Sequence, residues 1–241
     1  MSGAPAGPVA GVVVPAAGSG SRMGGEVKQF RPLGGAPVLV QTLRAFARHP
    51  QVGPLVAAVP APSVEAVGEM LTDHGVRARV VAGGASRQAS VAHGLAALPP
   101  NTPLALVHDA ARPFVPQRVI TQVIAQAHAH GAAAAALPVA DTLRQGGIGP
   151  LFGDTVPRDG MWAMQTPQGA RLGWLRRAYG HTRTIATDEA GLLQAVGYPV
   201  RIVEGDARNR KLTHASDWPL AEALWPLWAR EERGERPEED V

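Results

Sequence analysis

The chain has 241 residues, 45% of them hydrophobic, with 23 basic and 20 acidic side chains and a formal net charge of +3. A chain of this length buries about 70–75% of its extended surface, so one large domain, or one domain with an appendage, is expected. The absence of cysteine excludes disulfides, thiolate nucleophiles and Cys-ligated metals, and it suits a reducing compartment.

Residues Met1 to Pro8 lack a basic leader, and no apolar run is long enough to span a bilayer, so a cytoplasmic protein without a membrane partner is expected. Gly11 to Val14 is an apolar, β-branched run that reads as a buried strand. It breaks into Pro15-Ala16-Ala17-Gly18-Ser19-Gly20-Ser21-Arg22-Met23, followed by Lys28. Small residues let a backbone approach a ligand with its N–H groups exposed, and successive amides form a nest for anions. Arg22 and Lys28 add two cations beside it. The glycines alone fit an ordinary strand-to-helix turn. The dinucleotide fingerprint fails here, because Met23 occupies its third glycine position and no acidic residue follows Ala57-Ala58-Val59. The Walker pattern fails as well, because no Gly-Lys-Ser/Thr follows.

Lysine usage favours the phosphate reading. Of the 23 basic residues, 21 are Arg and only Lys28 and Lys211 are Lys. A compact, strongly hydrated ammonium retained at two places marks both as expected phosphate ligands.

Val38 to Arg48 predicts a helix, Leu55 to Val59 a strand, and Ser63 to His74 a helix capped by Ser63. Arg79 to Val81 is a short strand running into Gly83-Gly84-Ala85-Ser86-Arg87-Gln88-Ala89-Ser90, a small-residue loop with Ser86 as N-cap and a second expected ligand wall. Leu104 to Val107 is a strand with His108-Asp109-Ala110-Ala111-Arg112-Pro113 beyond its carboxyl end, where open α/β sheets bind ligands. A carboxylate there suits Mg²⁺, which takes one or two carboxylates and completes its shell from substrate phosphates. The spacing equally allows Asp109 to cap the loop and pair with Arg112. His108 reads as a core histidine or as one that stands behind the site residues.

Ala132 to Val139 is the next strand. Ala140 to Gly160, centred on Gly146-Gly147-Ile148-Gly149-Pro150, then reads as a hairpin. Isolated hairpins are marginal in water, so an arm packed on a second subunit is expected. Trp162 to Gln168 resumes a strand, Leu172 to Tyr179 is a helix, and Thr187-Asp188-Glu189-Ala190 opens another. Val200 to Glu204 is a late strand, before a polar loop from Gly205 to Thr213 and a helix from Ser216 to Leu227. Trp218, Trp225 and Trp228 read as packing residues. From Ala229 to Val241 the charge is −3, which leaves +6 on the body and suits anionic substrates. With 5% aromatics and no basic run interleaved with them, nucleic acid is not expected. Strands alternating with helices predict a three-layer α/β fold around a mostly parallel sheet.

Taken in order, these segments, with Asp141-Thr142, Arg158, Gln165-Thr166-Pro167-Gln168, Thr187-Asp188-Glu189-Ala190 and Asn209-Arg210-Lys211-Leu212-Thr213, resemble the 2-C-methyl-D-erythritol 4-phosphate cytidylyltransferases over roughly residues 10–225. The related ribitol-phosphate cytidylyltransferases differ in the first loop and in the segment around Asp109. Val27 stands where the family commonly has Pro, and Arg208 and Arg210 make the last loop more basic than usual.

The resemblance implies a Rossmann-like nucleotidyltransferase sheet over residues 8–228, with 140–160 as an inserted dimerisation arm and 229–241 as a charged tail. It implies transfer from CTP to a sugar-alcohol phosphate with Mg²⁺, and a homodimer. Arg22, Lys28 and Lys211 would surround the α-phosphate, and Asp109 would hold the metal. Ala16, Ala17, Gly84, Ser90 and Ala110 would hold cytidine and ribose, beside the Gly18 and Gly20 loop. Arg112, Thr166 and Thr187 would meet the sugar phosphate, joined by Thr142 and Arg158 of the second subunit's arm. The alternatives are a ribitol-5-phosphate cytidylyltransferase and a non-catalytic nucleotide sensor.

Overall fold

The computed structural model describes residues 10–18, 28–181 and 186–235. Its first strand, β1 (Ala10–Pro15), leads past a short 3₁₀ turn at Lys28–Phe30 to a small ribbon, β2 (Pro32–Leu33) and β3 (Ala36–Pro37). There follow α1 (Val38–Ala47), β4 (Val52–Val59), α2 (Val64–Asp73), β5 (Arg79–Ala82), α3 (Arg87–Ala97) and β6 (Leu104–Val107). The second half holds α4 (Gln117–His130), β7 (Ala132–Pro138), the hairpin strands β8 (Leu143–Gly146) and β9 (Phe152–Val156), and β10 (Trp162–Arg171). The described residues close with α5 (Leu172–His181), α6 (Glu189–Ala195), β11 (Arg201–Glu204) and α7 (Asp217–Glu232).

Seven strands form one sheet in the order β11-β7-β10-β6-β1-β4-β5. All neighbours are parallel except β10, which runs antiparallel to both β6 and β7. The alternation of side chains across a strand decides the two layers around it. From β1 and β6, Val12, Val14, Leu104 and Leu106 face the layer holding Leu43 and Phe46 of α1 and Ile120 of α4. Val13, Ala105 and Val107 face the opposite layer, with Val91 and Leu95 of α3 and Leu175 of α5. Strands buried on both faces must be apolar throughout, and the continuous Val and Ala runs have that property.

A third cluster packs α7 against the β2–β3 ribbon through Trp218, Trp228, Phe114 and Leu33. Trp218 and Trp228 are buried and Trp225 packs beside them, in keeping with their reading as packing residues. The helix runs on to Glu232, past the Leu227 end read from the sequence.

Other expectations need correction. The expected elements leave α4 out, although Val119, Ile120, Val123, Ile124 and Ala127 line one buried face of it. Ser63 makes no side-chain cap on α2, because a 3₁₀ turn at Ala61–Ser63 feeds the helix instead. The hairpin forms as expected, with Leu143 opposite Val156 and Arg144 opposite Thr155. It stands as a two-stranded sheet of its own, with Ile148 94% and Phe152 82% exposed.

Candidate active site

On the two sides of β1, the sheet is built from different stretches of chain: β4 and β5 on one side, β6 on the other. At such a switch point the loops leaving the carboxyl ends diverge and open a crevice. Val13 pairs with Val107, the last residue of β6, and β1 runs on two residues to Pro15, so Ala16 and Asp109 both leave the same edge of the sheet. The crevice is a cavity of about 480 Å³ lined by residues from five stretches of chain. Ala16, Ala17 and Gly18 come from the first, with Lys28 and Gln29 beyond it. Gly84 and Ser90 come from the second, with Arg87 beside them. Asp109 and Ala110 come from the third, and Lys211 and Thr213 from the last.

The first loop is held by Gln29, whose buried amide donates to the Ala16 carbonyl at 2.6 Å and to the Gly18 carbonyl at 3.3 Å. Gly20 and Arg22 lie outside the described residues. The second loop closes on itself: Ser86 caps α3 by accepting from Ala89 N–H at 3.0 Å, and Ser90 Oγ accepts from Gly84 N–H at 3.1 Å. Gly83 is required there, because an added Cβ would lie 2.6 Å from Ala17 Cβ and 2.8 Å from Ser90 Oγ.

Asp109 is the electrostatic centre. Its Oδ2 lies 2.9 Å from Lys211 Nζ and 3.3 Å from Arg112 Nε, and its Oδ1 lies 3.3 Å from Arg87 Nε. Burial would raise its pKa, but Lys211, Arg87 and Arg112 outweigh that and hold the carboxyl well below the usual range. The local pairing with Arg112 that the spacing allowed is therefore present, joined by two cations from distant parts of the chain. Arg112 is fixed in turn by donating to the Asn209 carbonyl at 2.7 Å.

Behind Asp109 sit His108 and Thr166, both buried. His108 is a core residue as expected, in edge contact with Phe46 at 4.8 Å between ring centroids. Asn209, also buried, donates to the Thr166 carbonyl at 2.7 Å and so ties the Lys211 loop to β10.

Of the expected site residues within the described range, Ala16, Ala17, Gly18, Lys28, Gly84, Ser90, Asp109, Ala110 and Lys211 line one cavity. Arg112 and Thr166 stand behind it. Thr187 is exposed at the start of α6, and Thr142 and Arg158 are exposed on the hairpin, where Arg158 donates to the Ala140 carbonyl. Those three do not line the cavity. Sequence reasoning missed Gln29 and Arg87 as site residues, and Glu189 behind them. For Arg87 no local spacing signal exists, since its partner Glu189 is 102 residues away.

Among the described residues, no group of three His, Cys, Asp or Glu side chains could hold a metal by itself, and no helix is long and apolar enough to cross a membrane.

The family model of 2-C-methyl-D-erythritol 4-phosphate cytidylyltransferase matches residues 10–226. The chain is 49% identical over 222 residues to the protein of that name from Salinibacter ruber, covering 90% of this chain and 93% of that one. It is 44% identical over 220 residues to that from Deinococcus radiodurans, covering 90% of each. The crystal structure of the Thermus thermophilus protein of that name superposes with a TM-score of 0.76 at 42% identity, over 89% of this chain and 98% of that one. With the matched span reaching from β1 into α7 and taking in every loop around the cavity, the chain belongs to the 2-C-methyl-D-erythritol 4-phosphate cytidylyltransferase family.

Proposed function

We propose that this chain transfers a cytidylyl group from CTP to 2-C-methyl-D-erythritol 4-phosphate and releases pyrophosphate. The observation that carries the proposal is the meeting of Lys28 and Lys211, the two lysines of the chain, with Asp109 around one cavity. An oxygen of the sugar phosphate attacks the α-phosphorus of CTP, and the bond to the bridging oxygen of the β-phosphate breaks opposite it. The attacking group is already anionic, so no side chain need serve as nucleophile. The work is to hold two polyanions together and to stabilise charge on the reacting phosphate.

In this reading Arg22, Lys28 and Lys211 surround the α-phosphate, and the loop through Gly18 and Gly20 receives the triphosphate. Ala16, Ala17, Gly84, Ser90 and Ala110 hold cytidine and ribose. Arg112, Thr166 and Thr187 meet the sugar phosphate. Thr142 and Arg158 reach it from the hairpin of a second copy, which makes the enzyme a homodimer through residues 140–160. The exposed Ile148, Leu151 and Phe152 of that hairpin support this, since apolar side chains on an isolated ribbon call for a partner surface. The catalytic body spans 8–228, with 229–241 as a charged tail, and the cysteine-free chain suits the cytoplasm.

The residues present fit a divalent cation. Asp109 is kept ionised, faces the cavity and is a hard oxygen donor. With Asp109 the one carboxylate among the described lining residues, Mg²⁺ suits best, because it takes its other ligands from phosphates and water. Asp109 would hold it, and when bound it would neutralise phosphate charge.

The test is pyrophosphate release from CTP with a panel of polyol phosphates that includes ribitol 5-phosphate. Turnover with methylerythritol phosphate at limiting substrate should exceed that with the others. Preference for ribitol phosphate, or CTP binding without any release, would replace the proposal by one of its alternatives.

A further inference from the structure

Beside the cavity but outside its lining lies Glu189, the first residue of α6, 0% exposed. Both its oxygens are taken by the guanidinium of Arg87, at 2.8 Å from Nη1 to Oε1 and 3.0 Å from Nη2 to Oε2. The Tyr179 hydroxyl of α5 donates to Oε1 at 2.7 Å. Burial and the adjoining Glu189 push the Tyr179 phenol far above its ordinary range, so it remains a donor. Arg87 turns its remaining edge, Nε–H, toward Asp109 Oδ1 at 3.3 Å. Three helices thus converge on one carboxylate, which reaches the cavity only through an arginine.

An acidic residue in the first turn of a helix is favoured by the helix dipole alone. That does not account for the bidentate grip on a residue of α3, nor for the hydroxyl from α5. A buried carboxylate is costly unless paired, and here the pairing is complete. A planar guanidinium fork matches a carboxylate bidentately, so its free fork would seek the nearest carboxylate. Without Glu189 that carboxylate is Asp109.

We propose that Glu189 is a positioning residue for the transfer: it occupies the Arg87 fork, so that Asp109 meets only the Nε edge and stays turned toward the cavity. This rests on the transferase reading above. The same contact neutralises Arg87 beside a cavity that already receives Lys28 and Lys211. A charge released there would tighten the ground state of a triphosphate without helping its reaction.

The test is Glu189→Gln against the wild type, in two measurements. Calorimetry of CTP binding in EDTA reads affinity with no turnover, and steady-state assay with methylerythritol phosphate and Mg²⁺ reads kcat. CTP should bind about threefold or more tighter, because the cavity gains one unit of positive charge. Turnover should fall about tenfold or more. A merely structural Glu189 would loosen the site, and binding and turnover would both weaken. That outcome overturns the proposal, as does turnover within twofold of the wild type. Should Glu189→Gln not fold, Tyr179→Phe removes a donor that holds the Glu189 carboxylate without adding charge to the cavity. Turnover should then fall by a smaller factor, with CTP affinity within twofold of the wild type; turnover equal to the wild type overturns the proposal. Wild-type protein that binds CTP but releases no pyrophosphate with any polyol phosphate would overturn the transferase reading instead, and the EDTA measurement would still report on Glu189.

Discussion

His108 Nδ1 lies 3.1 Å from Thr166 Oγ1, and the same oxygen accepts the Asp109 backbone N–H at 3.1 Å. The Thr166 hydroxyl, already accepting, donates its own proton to His108 Nδ1. His108 Nε2 then carries the ring proton and donates to the Arg112 carbonyl at 3.0 Å. This assignment requires a neutral imidazole, and burial pushes its pKa down to about 4. One hydroxyl thereby fixes the backbone at Asp109. Thr166→Val keeps the shape and removes the hydroxyl, which leaves a buried donor and a buried acceptor unpaired. We expect a loss of about 1–3 kcal/mol in stability by denaturant titration, with turnover lowered in the fraction that folds. Stability equal to the wild type would show that Asp109 is held by its cations alone.

Lys28→Ala and Lys211→Ala should each lower kcat about a hundredfold or more, as removal of a charge aimed at the transition state does. Lys211→Ala also removes one of three cations at Asp109. Circular dichroism should show the fold unchanged in both. Near-normal turnover in both would refute the mechanism.

Asp206 tests the scaffold of the last loop. Burial would raise its pKa, but hydrogen bonds from Arg208 and Arg118 hold it at about 2. A carboxyl depressed in the folded state stabilises above its unfolded value of about 4, and that contribution disappears as pH falls through the folded value. Thermal melts should therefore show the wild type losing stability from about pH 4 to about pH 2 more steeply than Asp206→Asn. Parallel curves would remove Asp206 from the account.

Gly83→Ala drives a methyl between Ala17 and Ser90, the two loops on either side of the cavity. Overpacking of this kind costs about 1–3 kcal/mol. Because the neighbours are cavity-lining residues, KM for CTP should rise more than kcat falls. An unchanged KM would mean that the loops separate without consequence.

For the hairpin, Phe152→Asp places a charge on its exposed apolar face. If the chain pairs through this hairpin as proposed, light scattering should show a dimer for the wild type and a shift toward monomer for the variant, with turnover falling in step. An active monomer would contradict the contribution of a second copy.

Much of the fold could be read locally. The strands at Gly11–Val14 and Leu104–Val107 and the helix facing Leu39, Leu43 and Phe46 declare themselves through short-range periodicity, which the pleat and the helical turn impose on neighbours in sequence. Ser86 and Asp188 cap their helices for equally local reasons, one side-chain oxygen reaching an amide three residues on. The scarcity of lysine points to residues 28 and 211 without saying where they meet.

Only the tertiary structure decided the rest. The periodic residues of α4 lie between two stronger signals, and Arg87 becomes a site residue only because α6 brings Glu189 to it from 102 positions away. The sheet order sets β1 beside β6 and sends their loops apart, and that places Lys28, Asp109 and Lys211 around one cavity. Amino-acid pattern records which face of an element is buried. It does not record which other element is buried against it, because that choice is made by packing summed over the whole chain.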